Sequence, residues 1–213
     1  MVLLGINVLV FLVEMALGGS TNLSVLARMG AMVPSLVAQG EYWRLVTAMF
    51  LHIGIPHLLL NSLGLYIFGS LIEQVLGTVR FLAIYLVAGF VASVASFTFG
   101  SPVALAAGAS GAIFGLLGSW LAFNLRRRSL SLARANIQGA LVLIALNVVF
   151  GLSVPGIDNL AHLGGLVAGV AAGFLVEGVG RKAARTLTAV GGLTLMVLGA
   201  AALAAWRAGG LPV

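Results

Sequence analysis

One glycine-flanked serine, three histidines and one asparagine are the residues of this chain best suited to chemistry. The serine is Ser110, in Gly108-Ala109-Ser110-Gly111. Its glycine neighbours leave the hydroxyl uncrowded and let a substrate backbone approach closely. At a helix start it would also have free N–H groups and the positive end of the helix dipole beside it, which suits a developing oxyanion. A base for it is available in His162, in Ala161-His162-Leu163-Gly164-Gly165-Leu166-Val167-Ala168-Gly169. Gly165 and Gly169 form a G-x-x-x-G face that admits a second helix at close range, and His162, one turn earlier, is carried toward that partner. If the partner bears Ser110, imidazole and hydroxyl meet as in an activated serine nucleophile. His57 and Asn61 share one helix face and can both donate hydrogen bonds into a dry site, where oxyanion stabilisation is strong.

Each residue also has a plainer reading. Ser110 could cap a helix in a small-residue packing motif, His162 could bridge two helices, and His57 with Asn61 could be polar glue. Three histidines (His52, His57, His162) invite a metal, but the chain has no cysteine and no suitably placed carboxylate; neither metal nor cofactor is expected. Asp158, four residues before His162, shares its helix face and could orient it as a triad aspartate would. The reading preferred here is capping, since Asp158 follows Pro155-Gly156-Ile157 and opens a helix, where a carboxylate accepts free N–H groups.

The elements that must carry these residues follow from composition. Of 213 residues, 61% are hydrophobic and 8% charged, against about 25% charged in soluble domains. Lipid must be the solvent for most of this surface. A bilayer core of about 30 Å needs roughly 20 apolar helical residues. Seven runs qualify: Val2–Leu17, Pro56–Leu76, Phe81–Phe99, Ala109–Leu125, Ile137–Val154, Ile157–Val179 and Thr186–Trp206. They are helices, because unpaired backbone cannot face lipid, and the lack of period-two alternation excludes a barrel. The expected fold is an all-α polytopic membrane protein. Even-numbered runs all begin on one side, so Ser110, His57 and His162 fall within roughly 10 Å of one depth at about 1.5 Å per residue.

Charge sets the orientation. Eight of the eleven basic residues lie in connections on one side (Arg80, Arg126, Arg127, Arg128, Arg134, Arg181, Lys182, Arg185), and Arg28, Arg44 and Arg207 lie on the other. The crowded side is cytoplasmic, with the N-terminus inside and the C-terminus outside. The net charge of +6 therefore does not point to nucleic acid, which would need an exposed basic face in polar surroundings. No basic n-region precedes the first run, so it reads as a span and not a cleaved signal. Ten arginines to one lysine, with abundant Ala and Gly, hint at a bacterial inner membrane. The one long connection, 18–55, is external and apolar; with Tyr42 and Trp43 as anchors it is expected to lie in the interface.

Together these motifs resemble those of the rhomboid family. Gly108-Ala109-Ser110-Gly111 is similar to its G-x-S-G, His57-x-x-x-Asn61 to its H-x-x-x-N, and Ala161-His162-x-x-Gly165-x-x-x-Gly169 to its A-H-x-x-G-x-x-x-G. Glu41-Tyr42-Trp43-Arg44 resembles the E-x-W-R of the family's large external loop, and His52 stands five residues before His57 as in many members. The resemblance implies a six-helix core (1–185) and, from the run beyond Thr186, the variant with a seventh helix and short external tail (186–213). It implies an intramembrane serine endopeptidase with a Ser110–His162 dyad, and an oxyanion bound by the backbone N–H of Ser110, by His57 and by Asn61. Substrates would be single-span membrane proteins, cut near their external end within the lipid bilayer. Gly108, Gly111, Gly165, Gly169, Trp43, Arg44 and Asn159 take supporting places. Phe114 stands where many members carry a tyrosine that packs on the base. The rival readings are a catalytically silent rhomboid-like adaptor, which would be expected to lack Ser110 or His162, and a small transporter. A transporter predicts a charge deep in a span, whereas Glu14, Glu73 and Glu177 lie near span ends.

Overall fold

Long apolar runs broken by glycine, proline and charge become helices of very different lengths. The structure is a computed structural model that describes residues 2–178 and 182–211. Among these the helices are α1 Val2–Ala16, α2 Leu23–Met29, α3 Pro34–Ala38, α4 Arg44–Thr47, α5 Gly54–Gly64, α6 Ser70–Leu76, α7 Thr78–Phe99, α8 Ser110–Leu125, α9 Ser131–Ser153, α10 Asn159–Glu177 and α11 Lys182–Gly209. A 3₁₀ turn at Ala48–Phe50 follows α4, and a π-helical stretch at Leu65–Gly69 joins α5 to α6 in one rod. Five helices are long and apolar enough to cross a membrane: Gly54–Leu76, Thr78–Phe99, Ser131–Ser153, Asn159–Glu177 and Ala183–Gly209. Two more, α1 and α8, are apolar but shorter.

The rods start or end a few residues away from the apolar runs. Backbone hydrogen bonding does not stop where polarity begins, so α9 runs back through Arg134 and Asn136 to Ser131 and α11 back to Lys182. Pro56 sits in the first turn of its helix, where its missing N–H costs nothing. Val179, the expected end of the sixth run, and Arg181 lie outside the described residues.

The centre of the molecule is α8, packed against both α10 and α7, which also pack against each other. Glycines make this possible. A methyl group on Gly165 would collide with the backbone of Gly111, one on Gly169 with that of Gly115, and one on Gly118 with that of Leu166. On the α7 side, Gly111 meets Ala92 and Gly115 meets Ala88. Such small faces let backbones approach in a solvent where apolar burial alone gives no drive to associate.

The long 18–55 segment is a folded unit. Its apolar residues are buried inside the protein: Leu26, Ala31 and Leu51 cluster together, and Val37 and Leu45 pack with Val94 and Phe97 of α7 and Ala200 and Ala204 of α11, while Tyr42 and Trp43 are about half exposed. Arg44 is its pin. Its guanidinium bonds Glu41 at 2.7 Å and donates to the carbonyls of Ala27, in the last turn of α2, and of Ala31 just beyond that helix, both charge-assisted bonds. Trp43 lies under the same guanidinium at 4.6 Å. The unit then clamps the strand-like segment before α8: Met32 and Ala106 exchange two backbone hydrogen bonds of 2.9 Å, and Gly108 N–H donates to Ala48.

Overpacking a tight contact costs about 1–3 kcal/mol. Gly165→Ala and Gly169→Ala are therefore expected to lower the thermal unfolding midpoint in detergent by several degrees. Gly191→Ala, where an added methyl meets open space, should leave it unchanged or raise it. Equal midpoints for all three would mean that the α8–α10 contact is not tight.

Candidate active site

Close approach of α8 and α10 brings two functional side chains together. Ser110, the first residue of α8, and His162, in the first turn of α10, face each other across the glycine contact. Ser110 Oγ and His162 Nε2 are 2.9 Å apart, a normal hydrogen bond. On its other face the imidazole stacks on Phe114, with ring centroids 4.3 Å apart and planes within 10°. Phe114 is one turn beyond Ser110 on the same helix, so one element sets both the nucleophile and the floor of its base.

A second pair of donors converges from α5. His57 Nδ1 accepts from the Ile53 N–H at 3.3 Å, which leaves the ring proton on Nε2. That nitrogen borders Gly108: a methyl there would lie 2.7 Å from His57 Nε2 and 3.7 Å from Asn61 Nδ2. Gly108 has φ +135°, in the region that favours glycine. Asn61 is oriented by donating to the His57 carbonyl at 3.1 Å. The N–H at the start of α8, His57 Nε2 and Asn61 Nδ2 thus surround the Gly108–Ser110 turn, the geometry of a small anion pocket.

The rest of the surroundings hold these groups in place. Asp158 Oδ1 accepts from the Ala161 N–H at 2.9 Å, which is the capping bond, and Oδ2 accepts from Ser96 Oγ of α7. Among the described residues it makes no side-chain hydrogen bond to His162. Asn159 Nδ2 donates to the Gly151 carbonyl at 2.8 Å, tying the start of α10 to the end of α9. His52 packs edge-on against His57 at 5.5 Å and is fully buried. Burial, with His57 beside it, pushes its imidazole down to about 4. Its backbone N–H donates to Glu14 Oε1 at 3.0 Å.

Glu14, Ser96 and Gly115 are the contributors that motif reading missed; Gly111 was read as a neighbour of Ser110 and not as a helix contact. Gly111 and Gly115 are themselves a G-x-x-x-G pair, a signal in plain view that matches the one on α10. Glu14 looked harmless near a run's end; it is fully buried with Leu3, Asn7 and Phe11 on one stripe of α1. A carboxylate inside an apolar run was itself the flag. Ser96 carried no signal.

Comparison with known proteins gives one consistent answer. The family model for the Rhomboid domain matches residues 39–178. The chain is 45% identical over 189 residues to Rhomboid protease GluP of Bacillus subtilis (strain 168), covering 88% of this chain and 37% of that one. It is 41% identical over 155 residues to RHOMBOID-like protein 6, mitochondrial, of Arabidopsis thaliana, with 72% and 50% covered. RHOMBOID-like protein 1 of the same plant is 38% identical over 164 residues, with 76% and 41% covered. The chain thus spans half or less of the length of these relatives.

Two measurements test the site's surroundings. Asp158→Asn keeps a capping oxygen, so turnover of a model transmembrane substrate should change less than about tenfold. A loss near the ~10⁴-fold of a replaced triad aspartate would mean that the carboxylate orients His162. Stability has a sign fixed by His52. An unfolded histidine titrates near 6.5 and this one near 4, so the unfolded state binds the extra proton and stability falls as pH drops through that window. Thermal unfolding between pH 7 and 4.5 should show this loss, and His52→Gln should remove part of it.

Proposed function

The chain belongs to the rhomboid family, and from that premise and the site's geometry we propose that it is an intramembrane serine endopeptidase. The observation that carries the reading is the 2.9 Å contact between Ser110 Oγ and His162 Nε2, beside two side-chain donors aimed at the same turn. Ser110 Oγ attacks the scissile carbonyl carbon while His162 Nε2 takes its proton. The carbonyl oxygen becomes an oxyanion held by the Ser110 backbone N–H, His57 Nε2–H and Asn61 Nδ2–H. Collapse of this intermediate breaks the C–N bond. His162 passes its proton to the departing amine, and an ester remains on Ser110. Water then attacks the ester, giving its proton to His162, and Ser110 leaves with that proton restored.

The dyad suffices because orientation of the base comes from the Phe114 stack and not from a buried anion. Water has to reach the site from one face of the membrane. A helix of 16 residues is roughly 24 Å long at about 1.5 Å per residue, short of an apolar layer of about 30 Å. With its Arg126 end at one boundary, α8 leaves Ser110 recessed from the other. Seven spans, an internal N-terminus and an external C-terminus complete the reading, with 1–185 as the core and 186–213 as an added span and tail. The substrates are single-span membrane proteins cut near their external end. The Leu152–Gly156 connection, which leads into α10, caps the recess and moves to admit them.

The test is chemical. Ser110 should react with a fluorophosphonate probe in detergent, and Ser110→Ala should lose both labelling and cleavage of a transmembrane substrate while keeping its unfolding midpoint. His57→Ala and Asn61→Ala should each lower kcat by about 10–1000-fold, as one oxyanion donor does. A Ser110→Ala variant that still cleaves would end this assignment.

A further inference from the structure

One unexplained feature lies at the end of α7 opposite the Ser110 site. Helices α7 and α11 pack closely near one end, where Val94 and Phe97 meet Ala200 and Ala204. That is the site end, since Ser96 of α7 bonds Asp158. Toward Thr78 and Arg185, at the opposite end, the two helices part around a cleft of about 510 Å³. Arg80 and Arg185 both line it at the rim, and Ala83, Ala189 and Leu193 line its walls.

Two like charges share this cleft with no carboxylate in its lining. Among the described residues neither guanidinium has an acidic partner. The nearby carboxylates are engaged elsewhere: Glu177 pairs with Arg126 and Arg127, and Glu73 accepts from Thr78 Oγ1. Arg80 has one long bond, 3.4 Å from Nη1 to the Leu76 carbonyl, whereas Arg126 and Arg127 of the neighbouring basic connection are both ion-paired with Glu177. The cleft also combines two polarities, cationic at the membrane boundary and apolar where it deepens between two membrane-crossing helices. That is the pattern of an anionic phospholipid, with phosphate at the rim and acyl chain along the walls. A soluble anion would leave the apolar walls unfilled, and an acidic peptide would have to bring its backbone into lipid.

We propose that the α7–α11 cleft binds an anionic phospholipid of the leaflet opposite the Ser110 site, through Arg80 and Arg185. The lipid fills the gap where the two helices separate, and so fixes the start of α11 against the core. This assignment is independent of the proteolytic reading, because neither arginine is near the dyad.

The experiment uses the full chain. Purified protein is exchanged into detergent with phosphatidylglycerol or phosphatidylcholine, and retained lipid is counted by native mass spectrometry alongside the unfolding midpoint. Wild type should retain phosphatidylglycerol in preference to phosphatidylcholine and gain thermal stability from it. A basic side chain at a membrane surface is worth about fivefold in affinity for anionic lipid, so Arg80→Gln/Arg185→Gln should retain at least about tenfold less. Arg80→Lys/Arg185→Lys should keep most of it. Equal retention of both lipids by wild type, or undiminished phosphatidylglycerol in the double glutamine variant, overturns the proposal. So does an equal rise in midpoint from inorganic phosphate alone, which would make the site one for a free anion.

Discussion

Everything at the site depends on how closely two helices approach. Gly165 and Gly169 of α10 rest on the backbone of Gly111 and Gly115 of α8, so no side chain separates them. Ser110 and His162 flank that contact at its end, and their 2.9 Å hydrogen bond is a by-product of the helix spacing. In lipid this contact cannot draw on apolar burial, because tails solvate a leucine as well as another leucine does. Dispersion between well-fitted backbones must supply the attraction, which is why the fit tolerates no methyl group. The alanines of α7 press on the same glycines of α8, Ala92 on Gly111 and Ala88 on Gly115, and α7 also packs directly on α10, so the three helices form one tight bundle.

A second constraint comes from outside the helical stack. The turn that bears Gly108 is held by the folded 18–55 unit, through the Met32–Ala106 pair and the Gly108–Ala48 bond. Arg44 ties that unit together by neutralising Glu41 and capping α2 at once. His57 and Asn61 arrive on α5, which leaves the same unit at Gly54, and the His52–Glu14 bond fastens its exit to α1. The His57–Asn61 pair is thus placed by a loop scaffold and the Ser110–His162 contact by helix packing, and they meet at the Gly108–Ser110 turn. This division places rigid elements behind each group that must be oriented.

The sequence made one half of this legible. Apolar runs bounded by charge located the helices, since lipid leaves no other backbone solution, and glycine spacing at 165 and 169 showed a close contact on α10. Hydropathy is blind to lateral neighbours, so the matching face at Gly111 and Gly115 was readable only as a pattern and not as a partner. It is also blind to helix ends, which explains why α9 begins at Ser131 and not where apolarity begins. The 18–55 segment was least legible. Its apolar residues could face lipid or one another, and composition is the same either way; only the backbone bonds of Arg44 and Met32 decide for a folded core. Glu14 does lie near the end of its run, but distance from the end does not tell burial, and its burial was not legible.

Asp158 is bonded to partners other than His162. Its two oxygens are occupied by the Ala161 N–H and the Ser96 hydroxyl, so the carboxylate stabilises the helix start and its attachment to α7. Turning it toward His162 would strip both bonds and bury a charge against the imidazole, and the desolvation of a buried ion costs several kcal/mol before any attraction is gained. The Phe114 ring does the orienting without that penalty. It is planar, lies nearly parallel to the imidazole at 4.3 Å, and needs no hydrogen-bond partner of its own. It also excludes rotation of the ring about the bond that would carry Nε2 away from Ser110. A phenyl floor and a capping carboxylate thus divide between them what a single buried aspartate would otherwise do, and each does its part where the local dielectric makes it cheapest.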